Sequence, residues 1–407
     1  MTRAHGEACS IDQGRSLIQR VCKLVQAVNS WAESVTDSSE ERSSCNVSYF
    51  SSVKYFKRVT RQQVLLMDLL TNVLVICVSC IHSCVAQRTF AIYYSRLNVN
   101  PNLDANWESG EQVMQYAIVS MCLAANDRVN KKYQQSASVL GYTLKALISK
   151  PSIANLILLA HIDAKTLPKS SSLLDNLLPA ILSAFQSGVA LDECLALLLN
   201  ALHNLQESTV SPEIVVPLCT IISSVASTHA DPMVRHQAFR VLALLLSHSP
   251  PALRMEALKE LTTDQRLPQM RTAAVGLVKE AVLEGLGSTS QNMFASRLFI
   301  QTFGPILYRP DPPDYLSKDY STQELCESFE IRRIVESLSL YYVLLQRDKM
   351  NKVRGTPDTF FFLISSFFQT GIRDRDIIDN IEKTFISPLR GALTRWENNV
   401  DQGNFLL

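Results

Sequence analysis

Residues 231–239 read Asp-Pro-Met-Val-Arg-His-Gln-Ala-Phe, and residues 268–275 read Pro-Gln-Met-Arg-Thr-Ala-Ala-Val. Both stretches place a proline, an arginine, an alanine and an apolar residue in the same order, with an offset of 36 residues. The same offset relates the apolar residues before each stretch, since Ile222 corresponds to Leu258 and Val225 to Leu261. A period of this size, with one amphipathic segment before a turn and another after a proline, is typical of stacked helix pairs.

The composition also favours helices over sheets. The chain has 407 residues, of which 47% are hydrophobic, so a large core is possible. It has only 13 glycines, less than half the usual ~7%, whereas nucleotide-binding α/β enzymes need glycine-rich loops. No segment alternates with a period of two, so strands are not expected. We predict an all-α fold, an α-α superhelix of the HEAT/ARM-like solenoid type.

Proline, glycine and serine divide the chain into short amphipathic segments. Pairs such as Ser211-Pro212 and Asp231-Pro232 start helices well, because the first residue can cap free amides and proline has no amide to leave unbonded. The predicted helices are 11–35, 53–94, 110–125, 129–149, 152–161, 173–186, 190–206, 212–228, 232–248, 252–262, 268–286, 323–347, 357–370, 376–386 and 388–398.

The longest interruption lies at residues 305–322, where the run Arg-Pro-Asp-Pro-Pro at 309–313 cannot be helical. We therefore predict four regions. They are an N-terminal helical region at 1–110, a HEAT-like repeat array at 111–304, a proline-rich linker at 305–322, and C-terminal helical repeats at 323–407 as the candidate partner-binding region.

Charge and cysteine content limit the class of partner and the compartment. With 39 basic and 38 acidic residues, the net charge is +1, so no global field attracts nucleic acid or an anionic membrane. The ten cysteines are scattered, and most lie inside apolar helical runs, which favours a reducing compartment. Residues 1–10 lack the apolar stretch of a secretory signal. We expect a protein partner, and a location in the cytoplasm, with the nucleus as a further option.

One apolar segment, residues 64–86, is long enough to be a membrane span. Asp68, Asn72 and His82 lie inside it, and a charged residue near the centre of a span costs roughly 2.5–3.5 kcal/mol. We therefore favour a buried helix. A membrane-anchored protein held by residues 64–86 is the alternative from another class.

Metal binding and catalysis have little support in the sequence. Cys77, Cys80, His82 and Cys84 are spaced so that the three cysteines share one face of a helix while the histidine points elsewhere, and no second pair completes a tetrahedral site. No hydrolase, kinase or nucleotide-binding motif occurs. We predict no metal, no cofactor and no catalytic residue, and hence not an enzyme.

Two sets of residues stand out on the helices. We expect Asp231 and Arg235, and likewise Asp264 and Arg271, to form a structural ladder in which arginine bonds an aspartate or the carbonyls of a neighbouring repeat. The candidate partner-binding residues follow from the enrichment of arginine and tryptophan at binding hot spots. The alternative for them is a solvated, mixed-charge turn and a tryptophan that closes the core. They are Arg373, Asp374, Arg375, Arg390, Arg395 and Trp396.

Residues 130–398 resemble the family that contains glomulin, the plant Alf4 proteins and the fungal YAP-binding (kinetochore Ybp-like) proteins. The resemblance is carried by the stretches at 231–239 and 268–275 and by the proline-rich run at 309–313 with the aromatic helices after it. It implies a HEAT-repeat scaffold whose C-terminal repeats cover the RING-box subunit of cullin-RING (SCF) ubiquitin ligases and block access of the ubiquitin-conjugating enzyme.

If the resemblance extends to the partner, residues 323–398 are where the RING-box subunit would bind. Alternatives within the same broad class are a scaffold that binds a stress regulator or the kinetochore, and a transport adaptor. The sequence determines neither the face that binds nor the oligomeric state.

Overall fold

The protein is all-α, as predicted. A computed structural model describes residues 10–41, 65–96, 105–120, 144–205, 209–288, 292–353 and 379–403, and no strand occurs among them. The α-helices are α1 Ile11–Glu41, α2 65–77, α3 Val85–Tyr93, α4 Trp107–Ser120, α5 Leu144–Ser149, α6 Ile153–Ala160, α7 Ser172–Ser187, α8 Leu191–Asn204, α9 Pro212–Thr228, α10 Pro232–Ser247, α11 Pro251–Thr263, α12 Pro268–Gly287, α13 Arg297–Leu307, α14 Thr322–Glu327, α15 Phe329–Val353 and α16 Ser387–Gly403.

The residues that correspond across the 36-residue sequence repeat are also buried at corresponding positions in the structure. Helices α9 to α12 follow one another along the chain, and the 36-residue offset carries the buried face of α10 onto that of α12. Each of the equivalent residues is at most 4% exposed. They are Ala238 and Ala274, Val241 and Leu277, Leu242 and Val278, Leu245 and Ala281, and Leu246 and Val282.

The first half of the predicted ladder lies at the start of α10. Asp231 caps the helix, because its Oδ1 accepts a hydrogen bond from the amide of Met233 at 2.8 Å. The Arg235 guanidinium donates to the carbonyl of Ala230 at 3.0 Å. Both side chains therefore fix the turn that enters α10.

The second half of the ladder pairs differently. Asp264 accepts hydrogen bonds from the Arg266 guanidinium at 2.9 and 3.0 Å, because that arginine is only two residues away. Arg271 donates instead to the carbonyl of Thr262 at 3.1 Å and forms an ion pair with Asp311 at 2.8 Å. It ties the end of α11 to the proline-rich segment.

The described residues fall into two compact units. The N-terminal unit takes residues up to 222 together with 230–248, and the C-terminal unit takes 223–229 and the residues from 249 onward. In the N-terminal unit, α8 packs against α3, α6, α7 and α10, which explains why it is buried almost all round.

The single helix predicted at 53–94 is wrong for its described part. Helix α2 ends in a 3₁₀ turn, Val78–Cys80, and α3 begins at Val85, at an angle of 74° to the helix before it. His82 and Cys84 have positive φ angles of 51° and 50° in the break. Cysteines 77 and 80 are buried, and no group of metal-binding side chains among the described residues is placed to hold an ion.

Two polar side chains from distant helices, the buried Arg15 and the partly buried Asp192, satisfy the backbone at this break. The Arg15 guanidinium donates to the carbonyls of Cys80 at 3.2 Å and Ile81 at 2.7 Å. The Asp192 carboxylate accepts from the amides of Val85 and Ala86 at 2.7 and 3.2 Å. The break is therefore held by contacts that no local pattern encodes.

Among the described residues, none of the helices is by itself long and apolar enough to cross a membrane. The bent pair Leu65–Cys80 and Val85–Tyr93 reaches the required length and composition only when both helices are taken together.

In the C-terminal unit, α12 packs against α11 and α15, and α13 packs against α11. Helix α13 was not predicted, because Pro305 and Gly304 lie in its last turns. The proline-rich residues 308–317 are largely non-helical, as predicted, and they pack inside this unit. The helices predicted at 376–386 and 388–398 are continuous over their described part, joined by a π-helical turn, Glu382–Ile386.

Candidate partner-binding cleft

The candidate binding residues on the last helix have three different environments. Arg390 is exposed and forms a surface ion pair with Glu382 at 2.9 Å. Arg395 is half exposed, donates a hydrogen bond to the carbonyl of Leu316 and lies 3.9 Å from Asp319. Arg373, Asp374 and Arg375 lie outside the described residues.

Trp396 is buried, with only 4% of its surface exposed. Its indole Nε1 donates to the carbonyl of Lys318 at 3.0 Å, and its ring meets the Tyr320 ring edge-on. Trp396 thus holds α16 against the segment that follows the prolines. Of the two alternatives for this residue, the structure matches a tryptophan that closes the core and not an accessible binding hot spot.

Arg395 lines an open cleft of about 1100 Å³ in the C-terminal unit. The cleft lies between α13, the residues 308–317 and the helix that ends in α16. Its floor is apolar and buried, and the exposed fraction of each floor residue is 5% or less. The floor residues are Ile300, Tyr308, Leu316 and Ile381.

A buried arginine holds the wall of the cleft. Arg333 of α15 is 1% exposed and donates to the carbonyls of Ile306 at 3.0 Å and Arg309 at 2.7 Å, which the end of α13 would otherwise leave unbonded. Glu330 pairs with this arginine at 2.6 Å and accepts from the amide of Asp311 at 2.8 Å. The shape of the proline-rich wall therefore depends on a pair that the sequence did not single out, since arginine three residues after glutamate is common on solvated helix faces.

The opposite wall contains the π-helical turn. The amide of Ser387 donates to the carbonyl of Glu382, five residues earlier. Pro388 has no amide and its ring would crowd the carbonyl four residues before it, so a widened turn relieves the clash. Ile381, Thr384 and Pro388, which lie just before, within and just after this turn, line the cleft.

The floor holds one polar atom of special interest, the Tyr308 hydroxyl. It is buried and has no hydrogen-bond partner among the described residues. Burial raises the pKa of this phenol, so it stays neutral. The ring itself packs against those of Tyr341 and Phe385.

The cleft lies in a part of the chain that is similar to a known protein family. The sequence profile of the family described as "Uncharacterised protein family, YAP/Alf4/glomulin" matches residues 161–404, more than half of the chain. This chain belongs to the YAP/Alf4/glomulin family. The match confirms the resemblance and includes every described residue of the cleft. No curated protein and no solved structure gives a significant match.

This YAP/Alf4/glomulin-family chain also contains a buried charge cluster in its N-terminal unit. The imidazole Nδ1 of His161 lies 2.8 Å from the Glu111 carboxylate, and its Nε2 lies 3.9 Å from the Glu193 carboxylate. Arg88 pairs with Glu111, and its guanidinium lies over the Trp107 ring at 4.8 Å. The sequence reading missed this cluster, because its members come from four separate helices or turns.

The charge cluster shifts the protonation of its members. Burial disfavours charge on His161, but the hydrogen bond and charge of Glu111, together with Glu193, raise its pKa to about 9. Burial opposes ionisation of Glu111, but His161, Gln115 and Arg88 lower its pKa to about 2. Both groups are therefore charged at neutral pH. We interpret the cluster as structural.

Proposed function

We propose that this chain is a non-enzymatic protein-binding scaffold that binds the RING-box subunit of cullin-RING (SCF) ubiquitin ligases and inhibits ubiquitin transfer. Membership of the YAP/Alf4/glomulin family suggests a protein-binding helical scaffold without catalysis. The observation that carries the proposal is the family match over 161–404, which includes the C-terminal repeats. The open, Arg-bearing cleft in that region supports it.

The test uses the purified full-length chain and a purified cullin–RING-box complex. We expect co-elution in size-exclusion chromatography and slower ubiquitin transfer from a charged conjugating enzyme. Arg390→Glu should weaken binding by at least about fivefold if this exposed arginine is at the interface. Arg266→Glu is the matched control, because Arg266 is also an exposed, ion-paired surface arginine.

The absence of co-elution at micromolar concentrations, or binding without any effect on ubiquitin transfer, would contradict the proposal. Equal loss in both arginine variants would point to non-specific charge effects instead of a defined interface.

A second candidate is a scaffold for a stress regulator or the kinetochore, and the family description favours it because it includes YAP proteins. A transport adaptor belongs to the same class. Affinity capture followed by mass spectrometry separates these candidates by the partner recovered.

Membrane anchoring through residues 64–86 is the candidate from another class, supported by the bent helix pair. Carbonate extraction of a membrane fraction tests it, since an anchored chain would stay in the pellet. We propose a cytoplasmic location, with the nucleus as a further option, and fluorescence microscopy of the tagged full-length chain would check it.

A further inference from the structure

The size and openness of the cleft fit a segment of polypeptide better than a small molecule. Its volume of about 1100 Å³ exceeds the ~300–1,000 Å³ of ordinary small-molecule pockets. The buried apolar floor offers a place for an apolar side chain, while the rim is exposed along both walls. An occupant therefore needs at least one apolar anchor.

The charge of the lining indicates a second property of the occupant. The described residues that line the cleft include two arginines, Arg309 and Arg395, and no carboxylate. Arg309 is exposed, and its guanidinium has neither a hydrogen bond nor an ion pair with any described residue. Arg395 donates to the Leu316 carbonyl, and its Nε lies 3.9 Å from the exposed Asp319 carboxylate, which is beyond hydrogen-bond distance, so other donors of this guanidinium are available. Guanidinium groups bind carboxylates with two parallel hydrogen bonds, so a carboxylate is the complementary group.

Glycines on both helical walls leave room for a chain to approach closely. A Cβ at Gly391 would meet only the Arg395 guanidinium, at 3.9 Å, and a Cβ at Gly304 would meet only the Ile300 side chain, at 3.8 Å. Larger side chains at these two positions are therefore compatible with the fold and would fill the cleft.

We infer that the cleft is a docking groove for a partner segment that carries an apolar side chain next to an aspartate or glutamate. This inference rests on the proposed partner-binding function, and it specifies where the partner binds and by what chemistry. The apolar side chain packs on the floor at Ile300, Leu316 and Ile381, and the carboxylate pairs with Arg309 and Arg395.

The test begins with a phage-displayed library of short random peptides, selected on the full-length chain. The consensus peptide is then synthesised with a fluorescent label, and its affinity is measured by fluorescence anisotropy. Gly391→Leu fills the cleft and Arg309→Glu reverses its charge, and each should weaken binding at least about tenfold. Gly276→Leu is the matched control, since Gly276 is also helical, has open space at its Cβ and lies away from the cleft. We expect it to change affinity by no more than about twofold.

An apolar-acidic consensus lost in both variants supports the inference. A failure to select peptides, a consensus without a carboxylate, or unchanged binding by Gly391→Leu overturns it. A dimer in sedimentation that Gly391→Leu dissociates would also overturn it, because a second copy would then occupy the groove. If Gly391→Leu does not fold by circular dichroism, Arg309→Glu decides alone, since that side chain is exposed and unpaired among the described residues.

The same variants separate this inference from the proposed function. If a RING-box complex binds wild type and Gly391→Leu equally, the inference of a docking groove is wrong, but the proposed function is supported. Peptides that bind the groove while the RING-box complex does not bind would support the groove and overturn the function.

Discussion

At the residue scale, the most consequential side chains are ionisable residues that are buried or partly buried. Arg15, Asp192, His161 and Arg333 each satisfy groups from segments distant in the sequence or at helix ends. A buried ion pair contributes little net stability compared with an apolar pair, but loss of one partner is costly because the other is left charged and buried.

His161→Gln should lower the free energy of unfolding by about 3–5 kcal/mol at pH 7, because Glu111 and Glu193 lose their buried cation. Urea unfolding followed by circular dichroism measures the change. The double variant Glu111→Gln/His161→Gln should cost less than the sum of the two single changes. Strict additivity would show that the pair is not coupled.

The difference in unfolding free energy between wild type and His161→Gln should depend on pH, and the direction follows from the sign of the pKa shifts. Because folding raises the pKa of His161 from 6.5 to about 9, its contribution is complete below pH 6.5 and is lost as the pH rises through 9. Because folding lowers the pKa of Glu111 from 4.5 to about 2, its contribution is lost as the pH falls below 4.5. A stability difference between wild type and His161→Gln that stays constant from pH 6 to 9 would contradict this assignment.

Tyr308→Phe should leave stability unchanged or raise it by about 1 kcal/mol. The hydroxyl is buried without a partner, so its removal avoids a desolvation cost while the ring contacts remain. Thermal unfolding of the full-length chain measures the effect. A loss of more than about 1 kcal/mol would reveal a hydrogen bond that this hydroxyl makes after all.

At the element scale, the sequence predicted helix bounds well where a capping residue and a proline mark the start of the helix. The Asp-Pro and Ser-Pro starts placed α9 and α10 within one residue of their bounds. The break between α2 and α3 has no such signal. It exists because Arg15 and Asp192, from helices far along the chain, bond its backbone.

Gly110→Ala should lower the free energy of unfolding by at least about 1–3 kcal/mol, the usual cost of overpacking. A Cβ at Gly110 would lie 2.0 Å from the carbonyl oxygen of Ile81, so α4 or the break must move. Gly276→Ala is the control, because it adds a methyl group in open space and should raise stability by up to about 1 kcal/mol. Equal effects of the two changes in denaturant titrations would show that the close approach does not matter.

At the scale of the whole molecule, the period of 36 residues was sufficient to predict the all-α repeat fold, because the same apolar positions are buried in both units of the repeat. The candidate site was less accessible to sequence reasoning. Arg395 was picked out by residue type and lines the cleft, whereas the floor and the supporting Arg333 depend on packing between elements that are distant in sequence. Residue type alone also selected Trp396, which is buried.

The near-neutral charge of the whole chain leads to an expectation about non-specific partners. With 39 basic and 38 acidic residues, the chain should not be retained on immobilised DNA at physiological salt. If the chain is retained and elutes only at high salt, it has a local basic surface, and nucleic acid must be considered as a partner.

The π-helical turn at Glu382–Ile386 has a consequence for how the groove could change during evolution. Removing one residue from this turn would restore ordinary helical winding, which advances about 100° per residue. A π turn holds one extra residue within a single turn, so the helix on both sides would keep its face toward the cleft and Ile381 would stay on the floor. The Pro388 ring would, however, again crowd the carbonyl four residues before it. The extra residue and Pro388 should therefore be gained or lost together, while α16 and its Trp396 anchor stay in place.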